Sequence, residues 1–295
     1  MSKPTLVTGA SGFVGTHLLE LLRDDAVPAE ADVTDPKAVA NAVRETEPRA
    51  VVHLAALSSV GDSWGAPATT WEVNAIGTVN VLEAVRRERP DARALVVSTE
   101  QVYGRTKQLP TPESAPVAPV SPYAASKAAA ELACTQGAEN GLDVVVARPF
   151  QHEGPGRDER FAVGSWTRQL AELELAGGGT LRVGNLDVER DITDVRDVCR
   201  AYRLLLEPSA AAGVYNVASG KAVRLSRVVA LLVGLARVPV TVEQDPGRLR
   251  PADIPVLCGD SSKLRRATGW KPEIPLEQTL ADTLEAARRA VVAGV

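Results

Sequence analysis

Tyr123 and Lys127 stand four residues apart in the stretch SPYAASKAAAELA, so on a helix both side chains share one face. Ser121 and Pro122 supply the start of that helix. An ammonium beside a phenol favours phenolate and draws the tyrosine down from its ordinary pKa of about 10, which opens proton exchange with a carbonyl or an alcohol. A third group comes from VVSTEQVYG, in which an apolar run ends in polar residues. Ligands of a parallel sheet bind beyond the carboxyl ends of its strands. Thr99, expected at such an end, can therefore offer a hydroxyl to the same oxygen that Tyr123 serves. Glu100 and Gln101 follow directly and are candidate substrate contacts.

A second constellation lies at the amino terminus. TGASGFVG spaces Gly9, Gly12 and Gly15 by three, between a short β-branched strand at residues 5–8 and a helical leucine pattern, THLLELLR. Gly9 permits a tight turn, Gly12 lets the backbone approach a pyrophosphate, and Gly15 allows the helix to pack closely on the sheet. Free N–H groups at the helix start, where Phe13 and Val14 stand, face the anion. Asp32 is a candidate acceptor for an adenine amine, with Val33 covering the ring. Glu30 is either the residue that disfavours a 2′-phosphate or an ordinary surface group.

Elements must hold these groups together. Near-continuous apolar runs at residues 50–56, 94–99 and 142–150 alternate with helical patterns at 37–47, 71–87 and 122–140. That alternation predicts an α/β fold, a Rossmann-like parallel sheet with both faces covered. Between the first helix and Asp32 only DDAVPAEA remains, so the second strand is either residues 26–29 or a trimmed part of the sheet. After residue 149 the texture turns to glycine-rich and charged loops with shorter elements. Residues 1–149 are expected to be mainly the NAD(P)-binding domain and 150–295 mainly a smaller substrate-binding lobe, some of whose elements return to the sheet.

Composition excludes other classes. The 295 residues are 45% hydrophobic and 24% charged, enough for a core and a solvated surface, which rules out a disordered or fibrous chain. A formal net charge of -4 gives no general reason to bind nucleic acid. Cys134, Cys199 and Cys258 are unpaired in spacing, and His17, His53 and His152 are scattered, so neither a metal site nor a disulfide framework is expected. There is no signal-peptide pattern and no apolar span of about 20 residues. A cytoplasmic protein without membrane contact is the expectation.

Taken together, TGASGFVG, HLAALSSVG, WEVNAIGTVNVLEAVR, VVSTEQVYG, SPYAASK, ARPFQHEGPG, VGNLDVERDITDVRDVCRAY and TGWKPEIPLEQTL resemble the nucleotide-sugar enzymes of the extended short-chain dehydrogenase/reductase superfamily, over essentially the whole chain. The resemblance implies a catalytic set of Thr99, Tyr123 as acid or base, and Lys127 as the partner that also holds the nicotinamide ribose. It implies that Leu54, Ala55 and Ala56 line NAD(P)H, that Arg148 borders cofactor and sugar, and that Asn74 supports the lysine region; a structural hydrogen bond at a helix end is an equal reading of Asn74. QDPGRLRPADIP and VGNLDVERD resemble the GDP-sugar branch, with Arg250 and Arg190 as phosphate ligands, Asp253 for ribose hydroxyls and Asn185 near the base. Ser58, Ser59 and Gln151 are further substrate candidates, Gln151 standing where the reductases usually carry asparagine.

Position 101 separates the reactions. The dehydratases of the superfamily place a glutamate there, whereas Gln101 is an amide and no general base. Glu100 is expected to point away, because neighbours on a strand face opposite sides. The chain is therefore expected to reduce the C4 ketone of GDP-4-keto-6-deoxy-D-mannose to GDP-D-rhamnose with NADPH or NADH. An NAD-dependent 4-epimerase, a GDP-mannose 4,6-dehydratase, a uronate decarboxylase and a non-catalytic dinucleotide-binding protein are the alternatives. The family also implies a homodimer built on the helices that follow Asn74 and carry Tyr123.

Overall fold

A computed structural model describes residues 3–248 and 254–294 of the chain. Its main sheet has six parallel strands: β1 (Thr5–Thr8), β2 (Ala26–Pro28), β3 (Ala50–His53), β4 (Arg93–Val97), β5 (Val144–Pro149) and the strand Gly213–Val217. In space the order is Gly213–Val217, β5, β4, β3, β1, β2. The side chains of β1, β3 and β5 are buried throughout, which is why these runs read as mostly apolar or β-branched sequence, with His53 and Arg148 the buried exceptions.

Register decides where the chemistry gathers. Thr8 pairs with His53, Val97 with Ala147 and Val217 with Pro149, so the carboxyl ends of these strands form one edge. The order reverses at β1, whose neighbours are β2 on one side and β3 on the other. A crevice opens beyond the strand ends at such a point. Helix α1 (Phe13–Leu22) leaves β1 through the glycine turn, and helix α2 (Pro36–Thr46) connects β2 to β3, its start capped by Asp35.

The short segment before Asp32 is thus a three-residue edge strand. Among the described residues no strand lies beyond it, and the crossover helix that would lead to one is missing as well. Pro28 on that edge withholds a backbone donor and discourages further pairing.

After β5 the chain builds a smaller layer. The strand pair Gly179–Val183 and Val240–Gln244 and helices Ala162–Ala176, Leu225–Gly234 and Leu276–Val292 close over Trp166, Leu170, Leu181, Leu232, Leu280 and Leu284. Helix Val195–Leu205 goes back to cover the main sheet, where Val198, Tyr202 and Leu205 join the core of Val7, Leu18 and Leu95.

Candidate active site

Between the strand ends and the smaller layer lies one cavity of about 1320 Å³. That exceeds the roughly 300–1000 Å³ of ordinary small-molecule pockets and suits two nucleotides side by side. One wall is the glycine turn. Gly9 has φ +67°, and a Cβ on it would fall 2.6 Å from the Ala55 backbone nitrogen. At Gly15 a Cβ would fall 2.4 Å from the Gly9 carbonyl oxygen, so α1 can start this close to the sheet only without side chains. Gly12 donates its N–H to the Gly9 carbonyl at 3.1 Å and precedes the first turn of α1, whose unpaired N–H groups open to the cavity. Phe13, Val14, Leu54, Ala55, Ala56 and Ser58 also line this side.

The opposite wall carries the acid–base groups. Helix Pro122–Glu139 starts at Ser121, whose side chain caps the Ala124 N–H, with Pro122 in the first turn. Tyr123 and Lys127 are both buried on its inner face and both line the cavity. β4 ends at Val97, and Thr99 then caps a short turn, Glu100–Tyr103, by accepting from the Gln101 N–H. This corrects the expectation that Glu100 and Gln101 face opposite sides as neighbours on a strand. Thr99, Glu100 and Gln101 all line the same cavity. Thr99 Oγ1 donates to Glu100 Oε2 at 2.8 Å, and Gln101 Nε2 donates to Glu100 Oε1 at 2.7 Å.

Protonation follows from burial. Enclosure raises the Tyr123 phenol above its ordinary value, the Glu100 carboxyl adds to the rise, and a hydrogen bond with Thr99 and the Arg157 charge oppose it. The net direction is upward, contrary to the expectation that the Lys127 ammonium draws the tyrosine toward phenolate. The lysine is itself lowered to about 8 by burial, with Glu131 opposing. Burial likewise raises Glu100, against its bonds to Gln101 and Thr99 and the charge of Arg190. The site therefore holds a protonated phenol ready to donate.

Several expected contacts are placed elsewhere. Asp32 is exposed, closes its own turn by accepting from Thr34 N–H and Oγ1, and is not part of the cavity lining; Val33 is buried in the sheet core against Gly77. Ser59 caps the helix Val60–Gly65 through the Asp62 N–H. Asn74 is fully buried in a π-helical turn, where it grips the Leu57 N–H and C=O and donates to Ser126 Oγ at 3.0 Å. It thus ties the strand-end loop to the residue beside Lys127 and lies outside the lining. Arg148 turns inward to Glu131, Nε to Oε1 at 2.9 Å, and leaves the cavity wall to Phe150 and Gln151. The reading of Arg148 as a ligand contact is corrected by this ion pair, since its guanidinium is spent on Glu131, the Tyr103 hydroxyl and the Glu113 carbonyl.

Gln151, Asn185 and Arg190 do line the cavity. Gln151 Nε2 donates to the buried Glu153 at 2.9 Å, which leaves its carbonyl for a ligand hydroxyl. Arg190 Nη1 is held by the carbonyls of Glu189 and Ile254. Arg250 and Asp253 lie outside the described residues. Sequence reasoning missed Arg157. Its guanidinium sits 4.8 Å from the Phe13 ring and 3.7 Å from the Phe161 ring, between the glycine turn and the smaller layer, and 3.3 Å from Glu153. An arginine in the loop HEGPGRDER carries no spacing that marks it; a cation between two rings is visible only in three dimensions. Among the described residues no group of three or more metal-ligating side chains gathers.

Comparison with known proteins agrees with this geometry. A family model described as GDP-mannose 4,6 dehydratase matches residues 23–283. The chain is 38% identical over 291 residues to a GDP-6-deoxy-D-mannose reductase of Pseudomonas aeruginosa, covering 95% of each. It is 31% identical to a GDP-6-deoxy-D-talose 4-dehydrogenase of Aggregatibacter actinomycetemcomitans, covering 90% of each. The solved structure of the Pseudomonas aeruginosa protein RMD complexed with NADPH superposes with a TM-score of 0.90 at 37% identity, over 98% of this chain and 99% of that one. The parallel sheet, the glycine turn and the Thr99, Tyr123 and Lys127 set thus have one explanation: the chain belongs to the GDP-mannose 4,6-dehydratase-like family of the extended short-chain dehydrogenase/reductases.

Proposed function

We propose that this protein reduces the C4 ketone of GDP-4-keto-6-deoxy-D-mannose to GDP-D-rhamnose, using NADPH or NADH. The observation that carries the reading is a buried Tyr123 that shares one cavity with Thr99, where residue 101 is an amide. Reduction needs a proton donor and an oxyanion contact, whereas loss of water from the sugar needs a base that Gln101 cannot be. The similarity to the Pseudomonas aeruginosa reductase, and to its NADPH complex, supports both substrate and cofactor.

In this reading the N–H groups at the start of α1 receive the dinucleotide pyrophosphate, with Arg157 closing over it from the other side. When bound, NAD(P)H supplies the hydride for the ketone carbon. Tyr123 gives its proton to the oxygen as charge develops there, and Thr99 donates a hydrogen bond to the same oxygen. Lys127, lowered to about 8 by burial, holds the ribose from the same helix as Tyr123. Arg190 and Asn185 face the GDP half, and Gln151 offers its carbonyl to a sugar hydroxyl.

The similarity to the talose 4-dehydrogenase supports a second reading, in which the new C4 hydroxyl has the opposite configuration. Two copies of the chain pair in our reading, through the helices Pro67–Trp71, Gly77–Glu88 and Pro122–Glu139 and the π-helical turn Glu72–Ile76, where Trp71, Ile76, Val79 and Leu132 stand exposed. The cytoplasm is the compartment that supplies both nucleotides. No helix among the described residues is long and apolar enough to cross a membrane.

The test is a reaction panel of 4-keto nucleotide sugars with NADPH and NADH, each carrying deuterium at the transferable position. One equivalent of reductant consumed per GDP-4-keto-6-deoxymannose, with deuterium at C4 of the product, is the expected result. NMR of that product assigns its configuration. Turnover without net consumption of reductant would identify an epimerase instead.

A further inference from the structure

The Thr99 hydroxyl has one proton and two lone pairs. One lone pair accepts the Gln101 N–H at 3.2 Å, and the oxygen lies 2.8 Å from Glu100 Oε2. Two arrangements satisfy this set of partners. If Glu100 is a carboxylate it can only accept, so Thr99 commits its proton to Glu100 in a charge-assisted bond. That proton then points inward, away from the cavity. If Glu100 is a neutral acid, its O–H and the Gln101 N–H occupy both lone pairs of Thr99. The proton of Thr99 is then free to join that of Tyr123 on a third oxygen.

We infer that Glu100 acts as a neutral carboxylic acid that turns the Thr99 hydroxyl toward the reacting carbonyl, and that its ionisation turns it away. Glu100 is a positioning residue in this scheme, working through Thr99. Gln101 completes it: its amide nitrogen donates to Glu100 Oε1 at 2.7 Å in either state, which leaves Oε2 as the oxygen that carries the proton. Burial also favours the neutral form, and the groups facing the carboxyl are Arg190 from the strand Glu189–Asp191, which favours ionisation, and Tyr123 from its helix, with the Arg157 charge acting on Tyr123 from the loop beyond β5. The inference rests on the proposed carbonyl reduction, and it goes beyond it by making the rate depend on a carboxyl that transfers no proton to substrate.

The sign is set by the active state. The protonated form of Glu100 is the competent one, so turnover falls as pH rises through the raised value of this group. Glu100→Gln keeps the neutral shape permanently: its amide donates to Thr99 and its carbonyl accepts from Gln101. The variant should keep wild-type turnover at low pH within about threefold and lose the falling limb that Glu100 causes. Glu100→Leu, which offers Thr99 nothing, should lower turnover about tenfold or more at every pH, with no such limb. A second readout needs no substrate: infrared difference spectra between wild type and Glu100→Gln at neutral pH should contain a protonated carboxylic acid band belonging to position 100. Buried Glu153 and Asp191 are common to both proteins and cancel. A Glu100→Gln variant that retains the wild-type pH profile, or a difference spectrum showing only carboxylate at neutral pH, overturns the inference. Should no 4-keto sugar be reduced by any form of the protein, the function reading fails while the infrared band still decides the state of Glu100.

Discussion

A phenol enclosed by its neighbours and faced by a carboxyl keeps its proton, and Tyr123 is in that position. The direction suits reduction, where the tyrosine begins the cycle as the acid. Tyr123→Phe removes that proton and changes little else, because the ring is packed and its hydroxyl touches Thr99. Turnover of the keto sugar should fall at least about 100-fold, with NADPH affinity by fluorescence titration and the melting temperature close to wild type. Near-normal turnover in this variant would remove the assignment. The tyrosine and the lysine were legible as a pair, since a four-residue step on a helix fixes a shared face, and Thr99 came from the polar end of an apolar run. Their charge states were not. The sequence suggests a lysine acting on a tyrosine, whereas in the folded site burial sets the direction for both, raising the phenol and lowering the ammonium.

At the scale of elements, the tyrosine helix is held to the sheet by a buried polar network. Glu131 on the helix accepts from Arg148 on β5 through Nε and Nη2, and from Ser98, the residue before Thr99. Arg148 continues to the Tyr103 hydroxyl, which donates to Asn216 on the strand Gly213–Val217. One ion pair thus joins the helix of Lys127, the turn of Thr99 and two strands. Removing one partner leaves the other charge buried without compensation. Arg148→Met should destabilise the protein by about 3–5 kcal/mol, and Arg148→Met with Glu131→Leu by distinctly less, as read from urea unfolding midpoints. Arg148 illustrates what an element-scale reading misses. It lies in a stretch that borders the ligands, but its side chain comes from the strand face that looks into the fold. Asn74 is a similar case, buried in a π-helical turn where it aligns the Leu57 backbone with Ser126. Ser59 and Asp32 spend their oxygens on local turns, a use for which short polar side chains are well suited.

For the whole molecule, two features stand out: the open end of the sheet at β2 and the apolar helices on one side. Trp71, Ile76, Val79 and Leu132 are large, apolar and exposed on neighbouring helices, with Leu132 at 72% of its full exposure. Such a group marks an interface more readily than scattered surface leucines do. Leu132→Glu places a charge there; on the proposed pairing, analytical ultracentrifugation should show a dimer for the unaltered chain and a monomer for the variant. A dimer that survives the substitution would direct attention to another surface. The amino-acid sequence by itself determined the parallel α/β class, the glycine turn, and the pairing of a tyrosine with a lysine, because periodicity and short-range spacing are properties of the chain before it folds. Only the tertiary structure decided that Glu100 shares a cavity with Thr99, that Arg148 is an internal anchor and that Arg157 bridges Phe13 and Phe161. Neither adjacency, as for Thr99 and Glu100, nor separation along the chain tells whether a polar group meets ligand, backbone or counter-ion, because strand register and burial place it.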